Sequence, residues 1–136
     1  MKIYFAGAIR GGRDDQDLYL TAIRLLGKHG TVLTEHIGDT NLSHLGETQR
    51  TNEDIYTRDV AWIQECDVVV AEVSIPSLGV GYEIGHAESH GKKIICLYRE
   101  QEGRRLSAML SGNRNVRVEK YNTVEDLDTL FKNFFL

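Results

Sequence analysis

Glu83 closes a glycine-studded turn, Ser74-Ile75-Pro76-Ser77-Leu78-Gly79-Val80-Gly81-Tyr82-Glu83-Ile84-Gly85, which holds the sole proline of the chain. Val80, Ile84, Ala87 and Gly91 mark the face of a helix that meets the core, and the helical period sets Glu83 about 60° off that stripe. Its carboxylate should point along the strand ends. Placed in the first turn, it would be held ionised by the helix macrodipole, a group able to attack rather than to donate a proton. The plainer alternative is a helix-start glutamate that stabilises the dipole from the surface.

Asp59 is the sharpest anomaly. Ile55, Trp62, Ile63 and Cys66 form one apolar stripe, and Asp59 falls on the same side of the helical wheel. A carboxyl facing a core or cleft must be satisfied, neutral or functional, because leaving it buried and unpaired costs several kcal/mol. Desolvation would raise its pKa, which suits a proton donor, whereas an aspartate bonded to loop amides would be purely structural. Tyr4 lies on the opposite sheet face from Ile3 and Phe5. Its hydroxyl needs a partner if buried, and Glu83 is a candidate, with an ordinary core tyrosine as the alternative.

Gly7-Ala8-Ile9-Arg10-Gly11-Gly12-Arg13 forms a glycine-rich turn that opens a helix. Such a turn lets backbone approach a ligand, and Arg10 and Arg13 beside free amides match a phosphoryl group. It lacks the Gly-x-Gly-x-x-Gly dinucleotide fingerprint and the Walker lysine, so a plain tight turn stays open. His86 and His90 stand four apart without the His-Glu-x-x-His order or an evident third ligand, so neither metal nor cofactor is expected. Asp14 and Asp15 follow the loop instead of ending a strand, unlike the acidic pair of a receiver domain.

These residues need a scaffold, and short apolar runs alternating with amphipathic stretches supply one. Strands are expected at Lys2 to Ala6, Thr31 to Glu35, Asp67 to Glu72, Lys93 to Tyr98 and Val116 to Tyr121. Helices are expected at Asp14 to His29, Asn52 to Glu65, Gly79 to His90, Arg104 to Ser111 and Val124 to Phe134. The pattern predicts an α/β fold, a doubly wound five-stranded parallel sheet of flavodoxin-like order 2-1-3-4-5 with helices on both faces. Ligands bind such sheets beyond the carboxyl ends of strands 1 and 3, where both unusual turns sit. The polar segment from His36 to Thr51 reads as a lid or an insertion.

With 136 residues, the chain fits one domain. A net charge of −4 and a pI near 5.7 argue against long nucleic acid as partner. Apolar runs are too short to span a membrane, and the amino terminus reads as a strand rather than a signal peptide, so a soluble, cytoplasmic protein is expected. Cys66 and Cys96, in or beside apolar runs, read as buried free thiols.

Tyr4-Phe5-Ala6-Gly7-Ala8-Ile9-Arg10-Gly11-Gly12, Thr31 to His36, Asp67 to Val73, Pro76 to Glu83 and Leu106-Ser107-Ala108-Met109 together resemble the 2′-deoxynucleoside 5′-phosphate N-hydrolases, the Rcl family, related to nucleoside 2-deoxyribosyltransferases. The resemblance implies Glu83 as nucleophile at C1′, Asp59 as acid/base and Tyr4 as the residue that positions the carboxylate. It implies substrate contacts at Gly7, Ala8, Ile9, Arg10, Gly11, Ser77, Gly79 and His36. Ser107 would reach the phosphate from the partner of a homodimer. Leu106, Met109 and Leu110 are expected to form the packed face of that short helix. Relatives commonly carry serine at the position of Ala8, which puts phosphate selectivity in question.

The expected activity is cofactor-free hydrolysis of a deoxynucleoside 5′-monophosphate to free base and 2-deoxyribose 5-phosphate. Alternatives are a deoxyribosyltransferase, a hydrolase of ribonucleotides such as a modified CMP, and a non-catalytic nucleotide sensor. A sensor has no need of a nucleophile, and an FMN carrier would want a Ser/Thr-rich loop and a stacking aromatic.

Overall fold

The computed structural model describes residues 1–8, 15–34 and 50–136. The elements run β1 (Lys2–Ala6), α1 (Gln16–Leu26), β2 (Thr31–Val32), α2 (Asn52–Glu65), β3 (Val68–Glu72), α3 (Leu78–Ser89), β4 (Lys93–Tyr98), α4 (Ala108–Ser111), β5 (Arg117–Lys120) and α5 (Val124–Phe134). All strand pairs are parallel, in the order β2-β1-β3-β4-β5, as the alternation of apolar runs predicts.

Strand alternation sorts the core into two layers. Ile3, Phe5, Val68, Val70, Ile95 and Leu97 pack against α1 and α5, which contribute Leu18, Tyr19, Leu26, Leu127 and Phe131. Tyr4, Ala6, Val69, Ala71, Ile94 and Cys96 face the other way, against Ile63 of α2 and Val80, Ile84 and Ala87 of α3. Tyr4 therefore shares a layer with the two helices that carry Asp59 and Glu83. Register sets Tyr4 opposite Val69 of β3, at the junction where the strand order reverses. Both cysteines are buried and free, and burial pushes the Cys66 thiol up to about 11 and the Cys96 thiol up to about 12.

Several boundaries differ from the sequence expectation. Helix α1 ends at Leu26 rather than His29, because Lys28 and His29 donate to carbonyls only three residues back in tight turns. Gly30 then passes so close to Met1 that a Cβ there would lie 2.4 Å from the Met1 carbonyl oxygen. Regular pairing of β2 stops at Val32. Beyond it, the buried Thr34 Oγ1 accepts from the Phe5 N–H at 2.8 Å and donates to the Phe5 carbonyl at 2.6 Å, so a side chain continues the ladder. Helix α4 is one turn rather than a helix from Arg104, since Gly103 takes a left-handed φ of 79° and Ser107 caps the turn. Strand β3 starts one residue later than expected, at Val68, and β5 is shorter by one residue at each end. Of the expected elements, Glu35 and Asp14 lie outside the described residues.

Candidate active site

Three side chains from β1, α2 and α3 meet on the Tyr4 face of the sheet. Ser77 begins α3, its Oγ accepting from the Val80 N–H at 3.3 Å, and the helix then lays Val80, Ile84 and Ala87 on the sheet. Glu83 follows one turn further along. Gly79 lies between the two groups: a Cβ there would stand 3.9 Å from Glu83 Oε1 and 3.9 Å from Ser77 Oγ, in ordinary van der Waals contact with both. The Glu83 carboxyl and the Tyr4 hydroxyl form a hydrogen-bonding pair.

The electrostatics of Glu83 reverse the expectation from the macrodipole. Glu83 is the sixth residue of α3, beyond the first turn in which the free amides lie. Burial dominates and pushes its carboxyl up to about 7; the Tyr4 hydroxyl pulls it down and the neighbouring Asp59 carboxylate raises it further. Tyr4 itself is pushed well above the ordinary phenol range by burial, then by Glu83 and Asp59, and only partly relieved by Arg58. It is a permanent neutral donor at working pH. These mutual effects place all three groups within electrostatic reach of one another.

Asp59 is not the desolvated, unpaired carboxyl that the helical wheel suggests. Its side chain keeps 22% of its exposure and its Oδ1 lies 3.0 Å from Nη2 of Arg58. Arg58 Nε also donates to that oxygen at 3.0 Å, and the guanidinium sits 4.8 Å above the Trp62 ring. Arg58 was not singled out from the sequence. The signal was available: it adjoins Asp59 and stands four residues before Trp62, the spacing at which helical side chains meet.

Just beyond β1, Gly7 lies against the Tyr19 ring, where a Cβ would approach to 3.1 Å. The Ala8 N–H donates to the Tyr19 hydroxyl at 3.2 Å. That amide, one of those expected to meet a phosphate, is thus engaged by Tyr19. Ile9, Arg10, Gly11, Gly12 and Arg13, together with His36 and most of the segment from His36 to Thr51, lie outside the described residues. Ser107 is exposed at the start of α4, its Oγ accepting from the Met109 N–H at 3.2 Å. Leu106 and Leu110 pack on the α2/α3 core layer, but Met109 is 80% exposed, so it does not belong to the packed face as expected. Leu106 lies before the Ser107 cap and so outside the helix, and the i, i+3, i+4 spacing therefore does not set the three on one helical face. Among the described residues no three His, Cys, Asp or Glu side chains gather around a point that a metal ion could occupy. Among them, too, no helix is long and apolar enough to cross a membrane.

The nucleoside 2-deoxyribosyltransferase family profile matches residues 3–127 of the chain. The chain belongs to this family. It is 46% identical over 138 residues to the 5-hydroxymethyl-dUMP N-hydrolase of Tetraodon nigroviridis, covering 99% of this chain and 97% of that one. It is 50% identical over 112 residues to the 5-hydroxymethyl-dUMP N-hydrolase of Danio rerio, covering 82% and 78%. Among solved structures, the CMP N-glycosidase BcmB of Clostridium botulinum is similar at a TM-score of 0.62 and 25% identity, over 96% of this chain and 98% of that one. The resemblance drawn from the strand 1 turn and the Pro76 to Glu83 segment is thereby borne out at the level of the family.

Proposed function

We propose that the protein hydrolyses the N-glycosidic bond of 2′-deoxynucleoside 5′-monophosphates, releasing free base and 2-deoxyribose 5-phosphate. The observation that carries this reading is the meeting of Tyr4, Asp59 and Glu83 at the sheet's switch point, with Glu83 held near neutrality. The names of its relatives, N-hydrolases and an N-glycosidase, support the same bond. They make 5-hydroxymethyl-dUMP the first substrate to offer.

Glu83 attacks C1′ as the bond to the base breaks, giving a glycosyl ester with inverted configuration. Asp59 delivers a proton to the departing base. A water then gives its proton to Asp59 and attacks C1′ from the opposite side, which frees Glu83 and restores the original configuration. The two carboxyls need one proton between them: on Asp59 when Glu83 attacks. Burial keeps that proton available on Glu83 near neutral pH, and it has to move to Asp59 before Glu83 attacks. Tyr4, always neutral, holds the Glu83 oxygen in line. Ser77 and the turn that carries Arg10 receive the 5′-phosphate.

The site is completed by a second copy of the chain, with Ser107 reaching the phosphate across the interface. Exposed Met109, Leu78 and Tyr82, at 80%, 97% and 57%, support an apolar surface of the kind that two copies would bury. No cofactor enters the reaction. The protein acts in the cytoplasm, as one domain.

Incubating the protein with 5-hydroxymethyl-dUMP, the common deoxynucleoside monophosphates and matched ribonucleotides, then measuring free base, tests the reading. Base release from deoxynucleotides that vanishes in Glu83→Ala is expected. Release only from ribonucleotides, or exchange onto an added second base without hydrolysis, would replace the assignment.

A further inference from the structure

His86 and His90 take no part in the chemistry above, and their spacing along the sequence shows no third ligand. The tertiary structure brings one from another helix. The two rings stand four residues apart at the end of α3, with centroids 4.4 Å apart. Gln64, the penultimate residue of α2, extends its amide to both: Gln64 Nε2 lies 3.5 Å from His86 Nε2 and 3.5 Å from His90 Nε2. Both ring nitrogens therefore face one point, and a third polar group meets them there.

Hydrogen bonds fix what those nitrogens offer. His90 Nδ1 lies 2.9 Å from the His86 carbonyl oxygen, which can only accept, so Nδ1 carries the hydrogen and Nε2 presents a lone pair. Ser89 Oγ donates to the same carbonyl at 2.7 Å and stands 3.2 Å from Nδ1, which holds the ring from behind. A backbone carbonyl on the far ring nitrogen is the arrangement that orients a metal-binding imidazole. His86 is held by stacking on Tyr82, with centroids 6.3 Å apart and planes 12° off parallel. The amide engages both lone pairs only loosely, since 3.5 Å exceeds the roughly 2.7–3.2 Å of a full N–H hydrogen bond. Imidazole binds zinc at about 2.0–2.1 Å, well inside that spacing, and turning the amide over presents Gln64 Oε1 as a third donor.

The surroundings select the class of ion. Gln64 and His90 sit at the carboxyl ends of α2 and α3, where helix dipoles favour positive charge, and the Lys92 ammonium already donates to the Gln64 carbonyl at 2.6 Å. The adjoining carboxylates are engaged elsewhere, Glu65 with Lys2 and Glu88 with Asn113 and Asn115. Two imidazoles and an amide, without a carboxylate, suit a borderline transition ion and not magnesium or calcium. We propose that His86, His90 and Gln64 bind one divalent ion of the zinc, nickel or copper class, which ties the carboxyl end of α2 to that of α3. The site lies beyond Asp59 and Glu83 on the same two helices, and it stands whichever bond the protein cleaves.

The test titrates chelator-stripped protein with Zn²⁺, Ni²⁺ and, as a control, Mg²⁺ by calorimetry. One equivalent of Zn²⁺ or Ni²⁺ and no Mg²⁺ should bind. His86→Gln and His90→Gln should each weaken binding at least about tenfold, and Gln64→Glu, which replaces the amide by a charged oxygen, should tighten it by about tenfold. Saturating Zn²⁺ should raise the Tm of the parent and leave that of His90→Gln unmoved, because an ion that binds only the folded chain stabilises it. Absence of binding to the parent, or an affinity unchanged in either histidine variant or in Gln64→Glu, would overturn the site. A measurement on the parent alone covers variants that fail to fold: substoichiometric Ni²⁺ should broaden the imidazole proton signals of His86 and His90 before those of the other three histidines. Equal broadening of all five would equally overturn it.

Discussion

The Tyr4 phenol on β1 and the Glu83 carboxyl on α3 meet as a hydrogen-bonding pair, a neutral donor against an acid held near pH 7. The pair is possible because strand alternation turns Tyr4 toward the layer on which α3 packs. Burial and the Asp59 carboxylate raise the acid while the phenol lowers it, so each neighbour has a separate and opposite effect that mutation can isolate.

Removing the phenol isolates one of them. In Tyr4→Phe the Glu83 carboxyl loses the contact that pulls it down, so its titration moves further toward alkaline pH. Base release at neutral pH should fall about 10- to 100-fold, with the pH-rate inflection displaced upward. An unchanged inflection in steady-state profiles would detach Tyr4 from Glu83.

The pH profile distinguishes one shared proton from two independent groups. With one proton required on the Asp59 and Glu83 pair, kcat/KM for the parent should fall as pH rises through about 7, where Glu83 loses it. Asp59→Asn removes the acid and leaves only the need for an ionised nucleophile. Its lower rate should instead rise with pH, and at an inflection below that of the parent because a like charge is gone. A pH series on both proteins, read with a substrate of fixed phosphate ionisation, shows whether the limb changes sign.

Stability should carry the same signature. A carboxyl raised from 4.5 to about 7 costs the folded state nothing below the lower value, where it is protonated in both states. The cost grows as pH rises and is complete above about 7. Glu83→Gln should therefore match the parent near pH 4 and exceed it in stability at pH 8, by on the order of 2 kcal/mol. Urea unfolding at the two pH values measures the difference.

Buried Thr34 offers a purely structural test. Replacing it by valine leaves the Phe5 N–H and carbonyl without the partner that both now use. A loss of roughly 1–3 kcal/mol in denaturant unfolding is expected, with KM little changed.

Assembly is addressed through Met109. If the proposed dimer forms through this face, a charge at the exposed Met109 side chain, as in Met109→Glu, should leave monomers in sedimentation and reduce base release at the same time, as the proposed role of Ser107 across the interface requires. Monomeric but fully active protein would separate Ser107 from the phosphate.

By itself the sequence determined the sheet order, the two core layers and the elements that bear Tyr4, Asp59 and Glu83, because apolar periodicity and turn residues are local and repeat along the chain. The family was legible separately, in the resemblance carried by the Tyr4 to Gly12 and Pro76 to Glu83 segments. Only the tertiary structure decided that Glu83 is raised rather than held ionised, since burial outweighs a dipole that has faded by the second turn. It also decided that Asp59 is paired with Arg58, that Tyr19 has taken the Ala8 amide, and that Met109 is exposed. The meeting of Gln64 with His86 and His90 belongs with these. Each depends on desolvation or on partners brought together from distant segments, and neither quantity is written in the spacing of residues along a chain.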